Sequence, residues 1–275
     1  LEPVTSGTKR KKHDAIRNQV STTTRSDIGF LTSDGVMHRV HASDIPAAEG
    51  AFDPASSVSV AEFLGLAKNI RVLGAFELDE KTTIALGTQQ GNVKRISGDW
   101  LPKSEFEVIS LKPGDSVVGA SLSTDKDELI FVTDDAQLLR FQADAVRPQG
   151  RGAAGMAGIK VADGAKAIFF TSIKPSKDTV LLTAANNSDS LGAVDSGSAK
   201  ISLLTEFPPK GRATGGVRAQ KFIRDENQLY FAFVGNSPIL ASGSSGKPLE
   251  VESKPAKRDA SGTPLASTIV SAGSN

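Results

Sequence analysis

The sequence predicts an all-β, propeller-like protein of about five blades, each with four short antiparallel strands. Three observations lead to this fold class. A hairpin-like pattern recurs along the chain, two further strand-like runs follow most of its copies, and no apolar stripe with the 3.6-residue period of a helix extends over a useful length. Four strands in a unit of roughly 50 residues are typical of radial repeats such as propellers.

The repeated pattern is a short apolar run, a threonine, a small residue three positions later and an arginine four positions after that. Clear copies lie at 28–40, 84–96 and 130–141, and looser copies begin at Val180 and Ile239. Each copy joins apolar arms through turn-forming residues, which is typical of a β-hairpin. Gly35 and Gly91 suit the positive φ that such a turn requires.

Two more strand-like runs follow the second, third and fourth hairpins, separated by turns such as Asp163-Gly164. These pairs of runs lie at 106–111 and 116–122, at 156–161 and 165–171, and at 217–222 and 228–234. A single sheet of this size cannot bury both of its faces. Neighbouring blades are therefore expected to cover each other.

The composition fits a globular core and excludes several kinds of protein. Hydrophobic residues make up 39% of the 275 residues, which excludes a fully disordered chain. The absence of cysteine excludes a disulfide scaffold and a thiol nucleophile, and with only three histidines no metal site is predicted. No apolar run approaches the roughly 18–20 residues of a membrane span, so no membrane partner is expected. The net charge of +1 still permits a basic face that is balanced by acidic loops.

A second motif combines glycine and arginine ahead of a strand. Its two copies, at 149–156 and 210–217, share Gly-Arg, three residues, a glycine and an apolar residue close behind. Glycine lets backbone N–H groups approach an anion closely, and arginine offers a fork of donors. The motif predicts phosphate contacts, and the alternative is a tight turn with an exposed arginine.

Segments 87–95, 131–160 and 210–222 resemble the C-terminal β-pinwheel domain of bacterial type IIA topoisomerase A subunits, the family of gyrase A and topoisomerase IV A. The resemblance covers about residues 15–251. It implies strands exchanged between neighbouring blades, and a non-catalytic domain that binds and bends duplex DNA along a basic outer rim and presents it to the cleavage core. The alternative is a propeller-like protein-interaction module whose arginine-bearing loops contact an acidic protein.

The hallmark of gyrases in this family is a box of the form Gln-(Arg/Lys)-Arg-Gly-Gly-(Arg/Lys)-Gly, and residues 149–155 are its local match. Four positions are kept, namely Gln149, Arg151, Gly152 and Gly155. Gly150 and Ala154 occupy the two other basic positions, and Ala153 replaces a glycine. This degenerate box favours the topoisomerase IV A side of the family and predicts DNA binding and bending with weak wrapping.

Cations at equivalent places in successive units are predicted to contact DNA phosphates, which supply affinity that does not depend on base sequence. One set lies just past the hairpin turns and consists of Arg39, Lys94, Arg95 and Arg140. For this set the alternative is a row of solvated strand ends. The other candidates lie in or near the Gly-Arg motifs and are Arg147, Arg151, Lys160, Lys210, Arg212, Arg218 and Lys221.

No catalytic residue is predicted. The cleavage core of this family uses a nucleophilic tyrosine, but Tyr230, the only tyrosine here, lies in an apolar run and is expected in the core. The cleavage tyrosine is therefore expected outside this chain. The resemblance implies no cofactor in this chain, since ATP and Mg²⁺ serve the rest of the enzyme. It also implies that the fragment is monomeric and that its location is cytoplasmic and nucleoid-associated. Two protein partners are implied, the ATPase B subunit and the remainder of the A subunit.

Three regions are predicted along the chain. Residues 1–27 are a linker with remnant strands of a first blade, residues 28–265 form the pinwheel, and residues 266–275 form a flexible tail. The last unit shows only a hairpin and the N-terminal segment only the later strands of a unit. The hairpin at 239–251 is therefore expected to pair with strands around 15–24 and close the ring. Because the chain starts without a methionine, it is interpreted as a fragment of a longer polypeptide that could have six blades.

Overall fold

The computed structural model describes residues 10–47, 57–189, 196–223 and 225–274. Within them the chain forms five antiparallel β-sheets, which are the five blades of a propeller, so the predicted fold class is confirmed. The first four sheets have four strands and the fifth has three. Helical structure in the described residues is limited to one turn, α1 (Val60–Phe63), and three 3-10 turns, at Ala42–Asp44, Ala143–Ala145 and Leu204–Glu206.

The first two strands of every blade form a hairpin at a copy of the sequence repeat. The pairs are β1 (Asp27–Thr32) with β2 (Val36–His41), β4 (Thr83–Thr88) with β5 (Asn92–Ser97), β8 (Glu128–Thr133) with β9 (Gln137–Gln142), β12 (Thr179–Asn186) with β13 (Ser198–Leu203), and β16 (Ile239–Ser242) with β17 (Pro248–Leu249). Gly35 and Gly91 have the positive φ expected of them, +80° and +84°.

The third strand of each blade pairs with the first strand of the hairpin. These strands are β3 (Val72–Glu77), β7 (Val117–Leu122), β11 (Ala167–Ile173), β15 (Gln228–Asn236) and β19 (Ser271–Ser274). Consecutive third strands contact each other around the ring. The approach is so close that a Cβ on Gly119 of β7 would lie 2.1 Å from the carbonyl oxygen of Phe170 in β11. Glycine is therefore required at this position.

The fourth strand of each of the first four blades comes from the unit that follows it in sequence. These exchanged strands are β6 (Glu105–Glu107) on β2, β10 (Met156–Ala157) on β5, β14 (Val217–Arg218) on β9, and β18 (Thr263–Pro264) on β13. Strand exchange, which the resemblance implied, is thus observed. Each exchanged segment also donates a backbone N–H to the carbonyl of the hairpin-turn residue, as Val108 does to Gly35 and Ala219 to Ala136, at 2.9 and 2.7 Å.

The apolar core lies between consecutive blades. Four clusters of buried side chains join blades 1 and 2, 2 and 3, 3 and 4, and 4 and 5. Along β8, Leu129 and Phe131 enter the cluster shared with blade 2, whereas Ile130 and Val132 enter the cluster shared with blade 4. This is the two-residue alternation of a strand that is covered on both faces.

Residues 10–16 complete the fifth blade, which has no exchanged strand among the described residues. The His13 N–H donates to the carbonyl of Gly246 at 2.9 Å, which is the turn bond that the exchanged segments make in the other blades. Arg10 donates to the carbonyl oxygens of Leu249 and Ala241 at 3.2 and 3.0 Å.

The same segment then reaches the first blade. A Cβ on Gly273 of β19 would lie 2.1 Å from the carbonyl oxygen of Ile16, so the two backbones are in close contact. Two residues later the side chain of Asn18 accepts the N–H of Ala75 in β3 at 2.7 Å. The N-terminal segment therefore lies between blades 5 and 1 and closes the ring.

Two predictions about the chain ends need correction. Residues 271–274, assigned to a flexible tail, form β19 and pair with β16. The first strand of the last hairpin, β16, thus pairs with β19 and not with strands at 15–24, and the contacts of the N-terminal segment with the hairpin are made without a β-ladder. Residues 1–9 of the predicted linker lie outside the described residues. Among the described residues, no helix has the length and apolar character needed to cross a lipid bilayer.

Candidate nucleic-acid interface

The cations that follow the hairpin turns do not form a row of solvent-exposed groups. Lys94 has no exposed surface and Arg95 is 3% exposed. The prediction that these two side chains contact phosphates is therefore wrong, since neither reaches solvent. The reason is that β5 is covered on both faces by the neighbouring blades.

The three arginines of this set instead connect consecutive blades. Each donates to a backbone carbonyl in the loop after the next hairpin: Arg39 to Leu101 at 2.7 Å, Arg95 to Ala143 and Val146 at 3.0 and 3.2 Å, and Arg140 to Phe207 at 2.6 Å. Each also forms an ion pair, with Asp27, Asp125 and Glu128 respectively. Arg39 and Arg140 are thus held by protein partners, and their assignment as phosphate contacts stays a prediction.

The two Gly-Arg motifs lie on the outer edge of blades 2 and 3, and a third loop occupies the same place in blade 4. One backbone bond defines the equivalence, because an N–H from the preceding exchanged segment donates to the loop in each case. The bonds run from Ser110 to Ala153, from Lys160 to Thr214 and from Lys221 to Ala260, at 3.3, 2.9 and 3.1 Å. We call residues 150–155, 211–216 and 257–262 the rim loops.

An arginine stands two residues before the acceptor carbonyl in every rim loop, namely Arg151, Arg212 and Arg258. Arg258 was missed by the sequence analysis. Its loop has Lys257 where the other two have glycine before the arginine, so the Gly-Arg pattern does not find it. The spacing of four residues from the arginine to a glycine, here Gly262, is the signal that identifies it.

Two of the three rim arginines lie over the neighbouring blade. Arg212 donates to the carbonyl of Ala157 in β10 at 2.7 Å, and Arg258 donates to the carbonyl of Arg218 in β14 at 3.5 Å. The Nε and backbone N–H of Arg151 instead donate to the carboxylate of Asp99, at 3.0 and 3.1 Å. The hydrogen bond from the Arg151 side chain holds the pKa of Asp99 below its ordinary value.

The glycines of these loops have two different roles. A Cβ on Gly152 or Gly211 would meet nothing within 4 Å, so packing does not require glycine there. Gly155 and Gly216 have φ of +83° and +75°, and a Cβ would lie 2.6 and 2.4 Å from carbonyl oxygens of β5 and β9. The fold therefore explains the second pair, whereas the first leaves open space over the backbone.

Buried ammonium groups lie under two of the rim loops. The Nζ of Lys94 donates to the carbonyls of Val108, Arg151 and Ala153 at 2.8, 2.8 and 2.9 Å. The Nζ of Lys200 donates to those of Lys257 and Arg258 at 2.8 and 2.5 Å. Burial lowers the pKa of each lysine to about 8.

The remaining predicted cations are exposed around the rim loops, and they are Arg147, Lys160, Lys210, Arg218 and Lys221. Gln149, the first residue of the box, is held by a backbone hydrogen bond in which its N–H donates to the carbonyl of Arg95 at 2.8 Å. In blade 1 the exchanged strand β6 instead presents the exposed carboxylates of Glu105 and Glu107. The basic edge therefore extends over blades 2 to 4.

Tyr230 lies in β15, where its side chain packs against the cluster between blades 4 and 5. Its hydroxyl accepts the N–H of Ile269 at 3.1 Å and donates to the carbonyl of Ser196 at 3.4 Å. No group of three or more His, Asp or Glu side chains suited to a metal ion occurs in the part of the chain that the structure describes. The chemistry that the outer edge offers is the binding of anions by charge and hydrogen bonding.

Comparison of the sequence with known families gives a match to the family described as the DNA gyrase C-terminal domain, beta-propeller, over residues 82–103, 127–174 and 195–222. The chain is 29% identical to gyrase A from Klebsiella oxytoca over 75% of its length, and 26% identical to gyrase A from Mycolicibacterium smegmatis over 82%. It spans about a quarter of these relatives, 23% and 26% of their lengths.

Solved structures show the same architecture. The C-terminal domain of DNA topoisomerase IV superposes with a TM-score of 0.75 at 19% identity, over 90% of this chain and 79% of that one. The gyrase A C-terminal domain superposes with a TM-score of 0.69 at 18% identity, over 92% and 83%.

Proposed function

We propose that the chain is a member of the family of C-terminal β-propeller domains of gyrase A and topoisomerase IV A, to which it is similar in sequence and fold, and that it binds double-stranded DNA along the outer edge of blades 2 to 4. The observation that carries the proposal is the equivalence of Arg151, Arg212 and Arg258. They are held at one repeating position on consecutive rim loops, and exposed lysines and arginines surround them. Phosphate recognition of this kind is independent of base sequence.

The duplex is bent by this interaction. The three rim loops are linked in series by backbone bonds from one blade to the next, so they follow the curvature of the propeller. A duplex that contacts all three loops has to follow that curvature. The free energy of the added contacts offsets the energy that bending the duplex costs. With Gly150 and Ala154 in place of two basic box residues, wrapping is weak.

The proposed role in the parent enzyme is to present the bound duplex to the cleavage core. The partners are then the ATPase B subunit with the remainder of the A subunit, which supply the tyrosine and the ATP- and Mg²⁺-dependent steps. The fragment acts as a monomer in the cytoplasm and is associated with the nucleoid. All of these statements rest on the family relationship and on the basic edge.

The test is duplex binding across a series of salt concentrations, with a random-sequence linear duplex and a supercoiled circle. The triple change Arg151→Ala, Arg212→Ala and Arg258→Ala should weaken binding and reduce the salt slope by about two to three, since each phosphate contact contributes about 0.9. The matched control removes three exposed lysines from equivalent turns between blades, as Lys81→Ala, Lys126→Ala and Lys177→Ala.

The control should lose clearly less affinity and less slope than the rim variant. If the rim variant binds DNA like the unchanged protein at moderate salt, the DNA surface is assigned wrongly. Indifference of the unchanged protein to DNA at low salt would favour an acidic protein as the partner.

A further inference from the structure

Lys94 and Lys200 occupy the same position in their blades. Lys94 pairs with Leu86 and Lys200 with Thr183, and in both sheets the pairing of the first and third strands shifts soon after that partner. By the same register, blade 1 has His38 and blade 3 has Leu139 at this position. Among these four blades, only blades 2 and 4 therefore have an ammonium under the rim loop, and blade 3 provides a natural comparison without one.

The ammonium groups hold the loops from the inside. Each donates to the carbonyl of the rim arginine itself, Arg151 or Arg258, and to a second carbonyl of the same loop. A buried ammonium needs hydrogen-bond partners because it has lost its hydration. The loop backbone is consequently drawn inward at this point, while the arginine side chain emerges on the outer edge.

We propose that Lys94 and Lys200 are positioning residues for DNA binding, which fix the backbone of the rim arginines of blades 2 and 4 without touching DNA themselves. The proposal rests on the proposed function of the rim loops. Both side chains are buried, so they contribute to DNA binding through the loop backbone and not by direct contact with phosphates.

The charged groups around each lysine, together with its burial, determine the pKa at which it loses its proton. Lys94 faces Asp99, which raises its pKa, and Arg151, which lowers it. Lys200 faces Asp259 and Glu206, which raise its pKa, and Arg258, which lowers it. Burial is the largest effect in both, and the resulting pKa of about 8 means that both are mainly ammonium groups at pH 7 and mainly amines at about pH 9.5.

The first experiment replaces each lysine by the residue of blade 3. Lys94→Leu should speed amide hydrogen exchange at 151–154 and leave 258–261 unchanged, and Lys200→Leu should do the reverse. Each variant should lower the affinity for a random-sequence duplex by about three- to tenfold. Faster exchange in the expected loop with unchanged affinity would overturn the proposal.

The second experiment needs no variant and covers the case in which the leucine proteins do not fold. Duplex affinity of the unchanged protein should fall between about pH 7 and 9.5 as both ammonium groups lose a proton and a donor. Because the folded pKa values of about 8 lie below the unfolded value of 10.5, the unfolded chain binds more protons in this range and stability rises with pH. A loss of affinity without a loss of thermal stability therefore supports the proposal, and a flat affinity profile contradicts it.

The rim triple variant separates the two claims. If Arg151→Ala, Arg212→Ala and Arg258→Ala weakens binding but the lysine changes and pH do not, only the positioning role fails. If the rim variant has no effect either, the proposed function itself fails.

Discussion

Arg95 is a charged side chain that serves the fold rather than the surface. Its Nη1 donates to two carbonyls of the 3-10 turn at Ala143–Ala145 and just beyond it, and its Nη2 pairs with Asp125 at 2.7 Å. A buried guanidinium is tolerated only with partners of this kind. In the same protein, Arg151 is 30% exposed in its side chain and paired with a single carboxylate. One residue type thus connects blades at one repeat position and faces solvent at another.

The contact between Asp99 and Arg151 gives a prediction at this scale. Asp99→Asn keeps an acceptor oxygen for the loop but removes the negative charge that neutralises the rim arginine. Duplex affinity should therefore rise by roughly two- to fivefold, the range expected for a partly exposed ion pair. Fluorescence anisotropy with a labelled duplex measures it, and the same change in an Arg151→Ala background should have little effect. The comparison is made at about pH 6, where Lys94 keeps its proton even without the charge of Asp99, and an unchanged or lower affinity there would mean that Arg151 does not meet DNA.

The sequence predicts where the repeated cations are but not which of them are buried. In β5, Val93, Lys94, Arg95 and Ile96 are all buried, because neighbouring blades cover both faces of the strand. The two-residue alternation that separates core from surface in a half-exposed sheet is therefore absent. A lysine and an arginine there give the pattern of a solvated strand end, and only the position of the next blade reveals otherwise.

At the scale of the element, the hairpin turns share a residue with positive φ. Four of them are glycines, Gly35, Gly91, Gly197 and Gly246, and the third blade has Ala136 with φ of +60°. The left-handed conformation costs an alanine about 1–2 kcal/mol. In blades 1 and 2, where the carbonyl of the turn glycine also receives the exchanged segment, glycine serves both the turn and the close approach of that segment.

Substitutions at two of these turns should have opposite signs. Gly91→Ala places a Cβ 2.4 Å from the carbonyl oxygen of Ile159 in addition to the strain at φ of +84°, so the free energy of unfolding should fall by about 2 kcal/mol or more. Ala136→Gly removes strain without a new contact and should raise it by about 0.5 kcal/mol. Urea denaturation checks both, and a destabilising Ala136→Gly would show that the turn φ is not the controlling feature.

The hairpins were predictable because β-branched arms and glycine turns are local signals. The exchanged strands were predicted as runs of six residues at 156–161 and 217–222, whereas the ladders include only two residues each, Met156–Ala157 and Val217–Arg218. After these pairs the chain leaves one blade to reach the next, and its bonds go to loops instead of strands. In blade 4 the register shift lies between Ala184 and Ala185, so Ala185 takes the place of the repeat threonine and the looser fourth copy is misaligned.

At the scale of the whole molecule, the ring is closed by residues that form no strand. Arg10 and His13 bind the fifth blade and Asn18 binds the first. The two chain ends meet where the sequence predicts that the ring closes. Closure pairs polar backbone groups that an open ring would leave unpaired. The pairing partner was misassigned because the strand at 271–274, with its small residues Ser-Ala-Gly-Ser, carries no local strand signal.

Removal of residues 1–24 should therefore lower the thermal midpoint by several degrees, since the fifth blade loses hydrogen bonds and the junction with the first blade loses its packing. Arg10→Ala should reproduce part of the loss. Lys11→Ala with Lys12→Ala, two exposed lysines in the same segment, is the matched control and should leave the midpoint unchanged. Differential scanning calorimetry gives the values, and equal midpoints for the truncated and intact chains would show that the ring is held without this segment.

Strand exchange also determines how a ring of this kind can change its number of blades. The segment from the start of β4 to the end of β7, residues 83–122, contains a complete hairpin, a third strand, and between them β6, which belongs to the preceding blade. Without that whole segment, β2 would receive β10 in place of β6 and no edge would be left unpaired. A continuous cut from β4 to β10, which takes in all four strands of blade 2, would also remove β6 from blade 1 and β8 and β9 from blade 3, and would leave two sheets incomplete. Addition or removal of one such offset segment would therefore change the number of blades by one and leave every sheet complete.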